Sequence, residues 1–203
     1  ILLWMGNDVN GKELAAHHWR PDAEGERQAN YNYAWYNNPY FATYELTQVH
    51  DRNVTNGQVK LNWDIMPGLS IQGRAAGRLE DTFEDMKSPK SYMNYGDSRN
   101  GDYKTWNTDQ LDINTDVLVT YTRAFNKNFA LTVNAGSSLY YRQIRSEYQA
   151  TDGLIVPGVY NMGNSLNPVS ATNSMNEKAI ESVYGSVTVS YTHLRAHETK
   201  ANL

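Results

Sequence analysis

Apolar residues recur at every second position along five stretches of the chain. Val59, Leu61, Trp63 and Ile65 alternate with Lys60, Asn62 and Asp64. Leu69, Ile71, Gly73, Ala75, Gly77 and Leu79 alternate with Gln72, Arg74 and Arg78. Leu111, Ile113, Val117, Val119 and Tyr121 stand against Asp112, Asn114, Asp116 and Thr120. Phe129, Leu131, Val133, Ala135, Leu139 and Tyr141 stand against Thr132, Asn134, Ser138 and Arg142. Val183, Gly185, Val187, Val189 and Tyr191 close the series against Tyr184, Ser186, Thr188 and Ser190. Period two is the mark of a strand with one apolar and one polar face. The pattern predicts an all-β chain, an antiparallel meander of about five strands.

Register follows from the same parity. A slip of one residue moves every side chain to the other face. A two-residue Pro67-Gly68 loop sets Trp63 opposite Gln72 and mixes the faces. An odd loop, residues 66–68, sets Trp63 opposite Ile71 and Leu61 opposite Gly73. A three-residue turn at Asn126-Lys127-Asn128 likewise opposes Tyr121 and Val133. Residues 80–110 and about 149–178 read as long polar loops. Near the start, Asn10 is placed to cap a helical turn over residues 12–18, with Glu13 three residues on and Pro21 beyond. Residues 31–44 are crowded with aromatics, and Asn37-Asn38-Pro39 marks a turn.

Short turn and long loop therefore alternate. Outer-membrane barrels have this asymmetry, with short turns on one side of the membrane and long loops on the other. A soluble sandwich or lipocalin-like barrel is the alternative. Five strands are too few to close a spanning barrel, so a larger barrel is expected around them. From Thr192 to Leu203 the alternation stops. That segment resembles translated adapter read-through and is expected to be a non-native tail, leaving residues 1–191 as part of a barrel.

Composition narrows the chemistry. The 203 residues carry 18 Lys plus Arg against 22 Asp plus Glu, a formal charge of −4, which speaks against nucleic acid as a partner. With no Cys, disulfides and thiolate chemistry are excluded. Mean hydropathy is −0.67, and no apolar run approaches the roughly 18 residues of a membrane helix. Strands hide from that measure because half their residues are polar. The chain has 15 Tyr and 5 Trp against 4 Phe, a surplus of rings with polar tips that suits wet interfaces.

Three segments carry a family resemblance. Asn38-Pro39-Tyr40-Phe41 with Tyr44, Glu45, Asp51 and Arg52 is the first. The others are residues 60–74 (KLNWDIMPGLSIQGR) and 181–191 (ESVYGSVTVSY). They resemble the SusC/RagA family of TonB-dependent outer-membrane transporters, over about residues 1–191. The resemblance implies a fragment of a 22-stranded barrel in the cell outer membrane, with long extracellular loops. It implies import of oligosaccharides or peptides, a SusD-like surface lipoprotein as lid, and energy from TonB through an N-terminal region not included here. No cofactor and no metal are expected.

Roles are assigned within that frame. The loop aromatics Tyr31, Tyr33, Trp35, Tyr36, Tyr40, Tyr92, Tyr95, Tyr103 and Trp106 are candidates for substrate contact, since rings stack on sugars or peptides. Packing of the loops onto one another or onto the lid is the competing role. Leu61, Trp63, Ile71, Val117, Val119, Tyr121, Phe129, Leu131, Val133 and Tyr141 fall on the apolar parity and are expected to face lipid or form its aromatic girdle. Lys60, Asp64, Arg74, Arg78, Asp112, Asp116 and Arg142 fall on the polar parity and are expected to face the lumen. The acidic run Glu80, Asp81, Glu84, Asp85 reads as a solvated loop; a hydrolase built on it is an alternative. His193 and His197 lack a third ligand for a metal. No phosphate loop, nucleophile elbow or zinc-protease motif is present, and no enzyme is expected. A soluble carbohydrate-binding domain or adhesin is the alternative to a transporter.

Overall fold

The computed structural model describes residues 5–32, 36–93 and 100–191. Two short helices, α1 (Gly11–Ala16) and α2 (Pro39–Tyr44), precede five strands: β1 (Thr47–Met66), β2 (Leu69–Ser88), β3 (Asp102–Asn126), β4 (Phe129–Leu154) and β5 (Ser165–Tyr191). They form one antiparallel sheet in the order β1-β2-β3-β4-β5, with β1 and β5 as its edges. The all-β meander is as the sequence pattern predicts. The tail from residue 192 lies outside the described residues.

The strands are longer than the apolar alternation. β2 continues to Ser88 and β3 begins at Asp102, so most of residues 80–110 is strand rather than loop. β4 continues to Leu154 and β5 begins at Ser165, which leaves only residues 155–164 of the expected 149–178 loop. Hydrophobic period two requires one dry face. Where covered positions are themselves polar, as at Asp85, Ser88 and Thr151, a strand persists on backbone hydrogen bonds but loses that signature. Tyr103 and Trp106, expected on a loop, therefore lie on β3. Glu80 and Glu84, also expected on a loop, lie on β2.

The chain divides into two compact units. The first combines the chain up to Val54 with Glu80–Asp109 and Ile144–Asn176. It contains both helices and the long connections. The second combines Thr55–Leu79, Gln110–Gln143 and the chain from Glu177 onward. It contains both tight turns.

In the first unit, Asn10 caps α1 as predicted, accepting from the Lys12 and Glu13 amides. The helix stops at Ala16, short of the expected residue 18. α2 occupies what the dipeptide signals marked as a turn. Asn38 is its cap and accepts from the Tyr40 amide, with Pro39 in the first helical position, where a missing N–H costs nothing. Phe41 and Leu154 are fully buried, and Ala150 is buried with them.

In the second unit, Pro67 and Gly68 join β1 to β2, and Lys127 and Asn128 join β3 to β4. Gly68 has φ +85°, and a Cβ there would collide with the Thr122 carbonyl oxygen. Its own carbonyl accepts from the Thr122 amide at 2.7 Å. At the other turn the Asn126 side chain accepts from the Asn128 amide at 2.9 Å, a local closure typical of Asn. The β3/β4 register matches the expectation. Thr122 meets Thr132 at 3.2 Å, and Thr120 donates to Asn134 at 2.8 Å. The Phe125 and Phe129 rings are 5.4 Å apart. Each pair opposes equal parity, as an odd loop requires.

Candidate functional site

Even-numbered side chains of the second unit form a polar network on one face of the sheet. Asp112 on β3 is its centre. Arg142 Nε and Tyr140 Oη both donate to its Oδ1, at 2.6 and 2.9 Å, and Gln110 Nε2 donates to its Oδ2 at 2.6 Å. The Arg142 guanidinium also lies over the Tyr140 ring, 5.6 Å from its centroid. One strand over, Arg74 Nε donates to Asp116 at 2.6 Å. Asn134 on β4 donates to Ser186 on β5 at 3.1 Å. Charge-assisted bonds of this kind are short and directional.

A groove of about 550 Å³ opens on this face. Its lining includes Gln58, Ala76, Arg78, Asn114, Tyr140 and Arg142. Small residues, Gly57, Ala76 and Gly77, stand there among long polar side chains. Of the residues expected to face a lumen, Arg74 meets Asp116, while Arg78, Asp112 and Arg142 share the groove. Lys60 and Asp64 stand exposed on β1.

The odd-numbered face carries the apolar set. Leu61 and Trp63 are 70% and 67% exposed, and Val117 is 49% exposed. Tyr121 is exposed; Ile71, Val119, Phe129, Leu131, Val133 and Tyr141 are half-buried. A polar group also lies on this face: Tyr141 and Gln143 both donate to Glu177 Oε1 at 2.7 Å. Glu177 lies in β5 well before its alternating stretch, so parity in the fifth strand alone gives no sign of it.

In the first unit, side chains hold the loops. Asn38 Nδ2 donates to the Ala29 and Leu14 carbonyls at 2.8 and 3.1 Å, and Gln28 Oε1 accepts from the Asn38 amide at 2.8 Å. Glu45 Oε1 accepts from Trp19 Nε1 at 2.8 Å and meets His18 Nε2 at 2.8 Å. His50 and Arg52 pair with Glu84 and Glu80, at 2.9 and 2.6 Å. Neither His18 nor His50 was legible as paired, because their partners are distant in sequence.

The aromatic candidates separate. Tyr31 stacks on Tyr36 with centroids 6.4 Å apart, and Tyr40 on Tyr44 at the same distance. Tyr31 also lines a cavity of about 330 Å³ beside Leu14, His17 and Arg20. Its hydroxyl is buried with no hydrogen-bond partner among the described residues, and burial raises its pKa. Tyr92 is half-buried. Tyr103 points its hydroxyl at Asp85, 3.4 Å away, and its ring lies 6.3 Å from Tyr160. Burial, then the nearby Glu45 charge, raises the Tyr160 pKa. Trp106 packs 5.2 Å from Tyr148. Tyr33, Trp35 and Tyr95 lie outside the described residues. No cluster of three or more metal-ligating side chains occurs among the described residues.

No protein family and no curated protein matches the sequence. Solved structures do share the fold. The RagAB peptide transporter superposes on 76% of this chain with a TM-score of 0.67 at 14% identity. The RagAB peptide importer does so over 76% of the chain in its open-open state, with a TM-score of 0.62 at 16% identity. Its closed-closed state gives 0.55, also over 76% and at 16% identity. In each case the matched region covers 17% of the solved chain. The chain spans that fraction of those transporters, and at this identity the likeness is one of fold.

Proposed function

We propose that the chain is a wall section of an outer-membrane importer barrel of the SusC/RagA, TonB-dependent type, built with 22 strands. The observation that carries the reading is the exposed apolar face of the second unit. Leu61, Trp63, Val117 and Val187 stand about half or more exposed on a hydrogen-bonded sheet. Water does not favour so large an apolar patch, whereas the hydrocarbon of a bilayer does. The odd residues then face lipid, with Trp63, Tyr121 and Tyr141 in the headgroup girdle. The even face lines the interior.

The rest of the proposal follows from that placement. The aromatics Tyr31, Tyr36, Tyr40 and Tyr92 belong to extracellular segments of such a barrel and meet an oligosaccharide or peptide substrate or a SusD-like lipoprotein lid. Energy reaches the barrel from TonB through a region of the protein beyond this chain. The barrel moves its substrate without catalysis.

The test uses the absence of native cysteine in this segment. Single cysteines at residues 117 to 122 are introduced into the whole protein in outer-membrane vesicles. A water-soluble maleimide labels residues 118, 120 and 122, and a lipid-phase quencher reaches 117, 119 and 121. Equal labelling by the aqueous reagent at all six positions sinks the membrane reading and favours the soluble binding domain.

A further inference from the structure

We infer that Arg123 holds the phosphate of a membrane phospholipid at the tight-turn end of the sheet. The inference rests on the importer reading for the bilayer against the odd-numbered face. Arg123 is exposed and interrupts the apolar parity of β3 between Tyr121 and Phe125. The Thr122–Thr132 pair sets Leu131 opposite it on β4. Its guanidinium lies over the Phe125 ring, 5.4 Å from the centroid. That ring is two residues nearer the turn, so the charge is carried toward the end of the sheet.

No acid neutralises this cation. Arg74 and Arg142 on the polar face meet Asp116 and Asp112. Arg123 has neither an ion pair nor a side-chain hydrogen bond among the described residues. A ring face takes up no N–H, so its five guanidinium donors remain. The odd-numbered acids of the second unit are Glu177 and Glu181, both on β5. Glu177 accepts from Tyr141 and Gln143. The Asn134–Ser186 bond sets Glu181 opposite Leu139, eight residues along β4 from Leu131 and so about 26 Å away.

Depth selects the occupant. A charge facing lipid is costly at the bilayer midplane and nearly free at the interface. Arg123 stands three residues before Asn126, where the turn begins. Its stem lies along apolar surface while its charge reaches the headgroup level. The counter-charge there is lipid phosphate, and the guanidinium fork matches its oxygens through paired hydrogen bonds. The flanking Tyr121, Phe125 and Val189 are exposed and give the acyl chains of the same lipid an apolar surface. A free phosphate ion has no use for that surface.

The whole protein is purified in a neutral detergent and titrated by native mass spectrometry with three probes. These are dioleoyl phosphatidylglycerol, dioleoylglycerol with the same chains and no phosphate, and glycerol 3-phosphate with no chains. The phospholipid is retained more strongly than either counterpart. Arg123→Gln weakens its retention about fivefold or more, and Arg123→Lys, which keeps the charge but loses the fork, falls between. Phe125→Ala weakens it about twofold or more, because the ring no longer steers the guanidinium. Lys60→Gln removes a cation from the polar face and leaves retention within about twofold. Retained heat-modifiable migration shows that each variant is folded. Equal retention of phospholipid and dioleoylglycerol, or equal loss in Lys60→Gln and Arg123→Gln, overturns the site. Equal binding of glycerol 3-phosphate also overturns it, in favour of a free-anion site. The cysteine-labelling pattern at residues 117 to 122 is read independently, so loss of this site is distinguishable from loss of the importer reading.

Discussion

The two units fold by different rules. In the first, Phe41 and Leu154 are fully buried, as is the polar side chain of Asn38, and Gln28, Asn30, Asp85 and Thr151 are buried with them. Its polar groups serve backbone carbonyls and amides, which irregular segments must satisfy from side chains. In the second unit no described residue is buried. There the backbone is satisfied by the sheet, and polar side chains bond one another across strands, as Asp112 does with Arg142. One unit makes its own interior. The other separates a polar face from an apolar one and leaves both open. A unit of the second kind is stable only where its surroundings supply what a core supplies elsewhere.

The sharpest way to break this contrast is a charge on the apolar face. On the proposed reading, Val119→Arg in the whole protein lowers barrel stability by about 2–4 kcal/mol, the cost of an arginine near the bilayer midplane. Leu118→Arg, one residue away on the polar parity, costs less than half as much. Urea-dependent folding into lipid vesicles measures both, and equal costs erase the distinction between the faces. Next is the polar interior of the first unit. Asn38→Ala leaves the Leu14 and Ala29 carbonyls without their donor and removes the α2 cap, for about 2–3 kcal/mol. Hydrogen exchange speeds up across residues 10–45 and not in residues 110–143; a uniform increase contradicts the separate behaviour of the units.

A smaller effect, about 1–3 kcal/mol, is expected for Gly68→Ala, because the left-handed backbone and the Thr122 carbonyl both oppose a Cβ. Slower folding and a lower midpoint report it, while Gly57→Ala, where a Cβ meets open space, gives a much smaller change. The smallest effect concerns Asp22, whose pKa lies below 3.8 because Arg20 donates to it. Its contribution is present above 3.8 and is lost as pH falls through the lowered folded value. A carboxylate titration by NMR reads a midpoint under 3.8, and Arg20→Gln returns it toward 3.8.

What the sequence revealed follows the same division. In the second unit one apolar face imposes alternation, so strands, turn parity and the Tyr121–Val133 register are all legible. Arg74 and Asp116 share a face by parity, but the groove requires neighbouring strands in register, with Ala76 among longer side chains. In the first unit the strand ends from Glu80 to Ser88 and from Asp102 to Asp109 carry polar residues even where the chain is covered, Asp85 and Ser88 among them, so they show no apolar alternation and read as loops. α2 was legible by another signal: Asn38 before Pro39 is a helix cap with proline behind it, although the Asn-Pro step also marks a turn. The pairs His18–Glu45 and His50–Glu84 join residues too far apart in sequence for any local pattern to link.

The length of the strands has a consequence for how such a protein changes over time. A tilted strand crosses the hydrocarbon with about 9–11 residues, while β4 has 26 and β5 has 27. On the proposed reading, more than half of each strand is ordered wall outside the bilayer. Substitutions there meet no lipid and are free of the parity rule, yet they sit on a backbone fixed by its neighbours. New surface chemistry is then acquired on a rigid support, without remodelling loops and without disturbing the part held by the membrane.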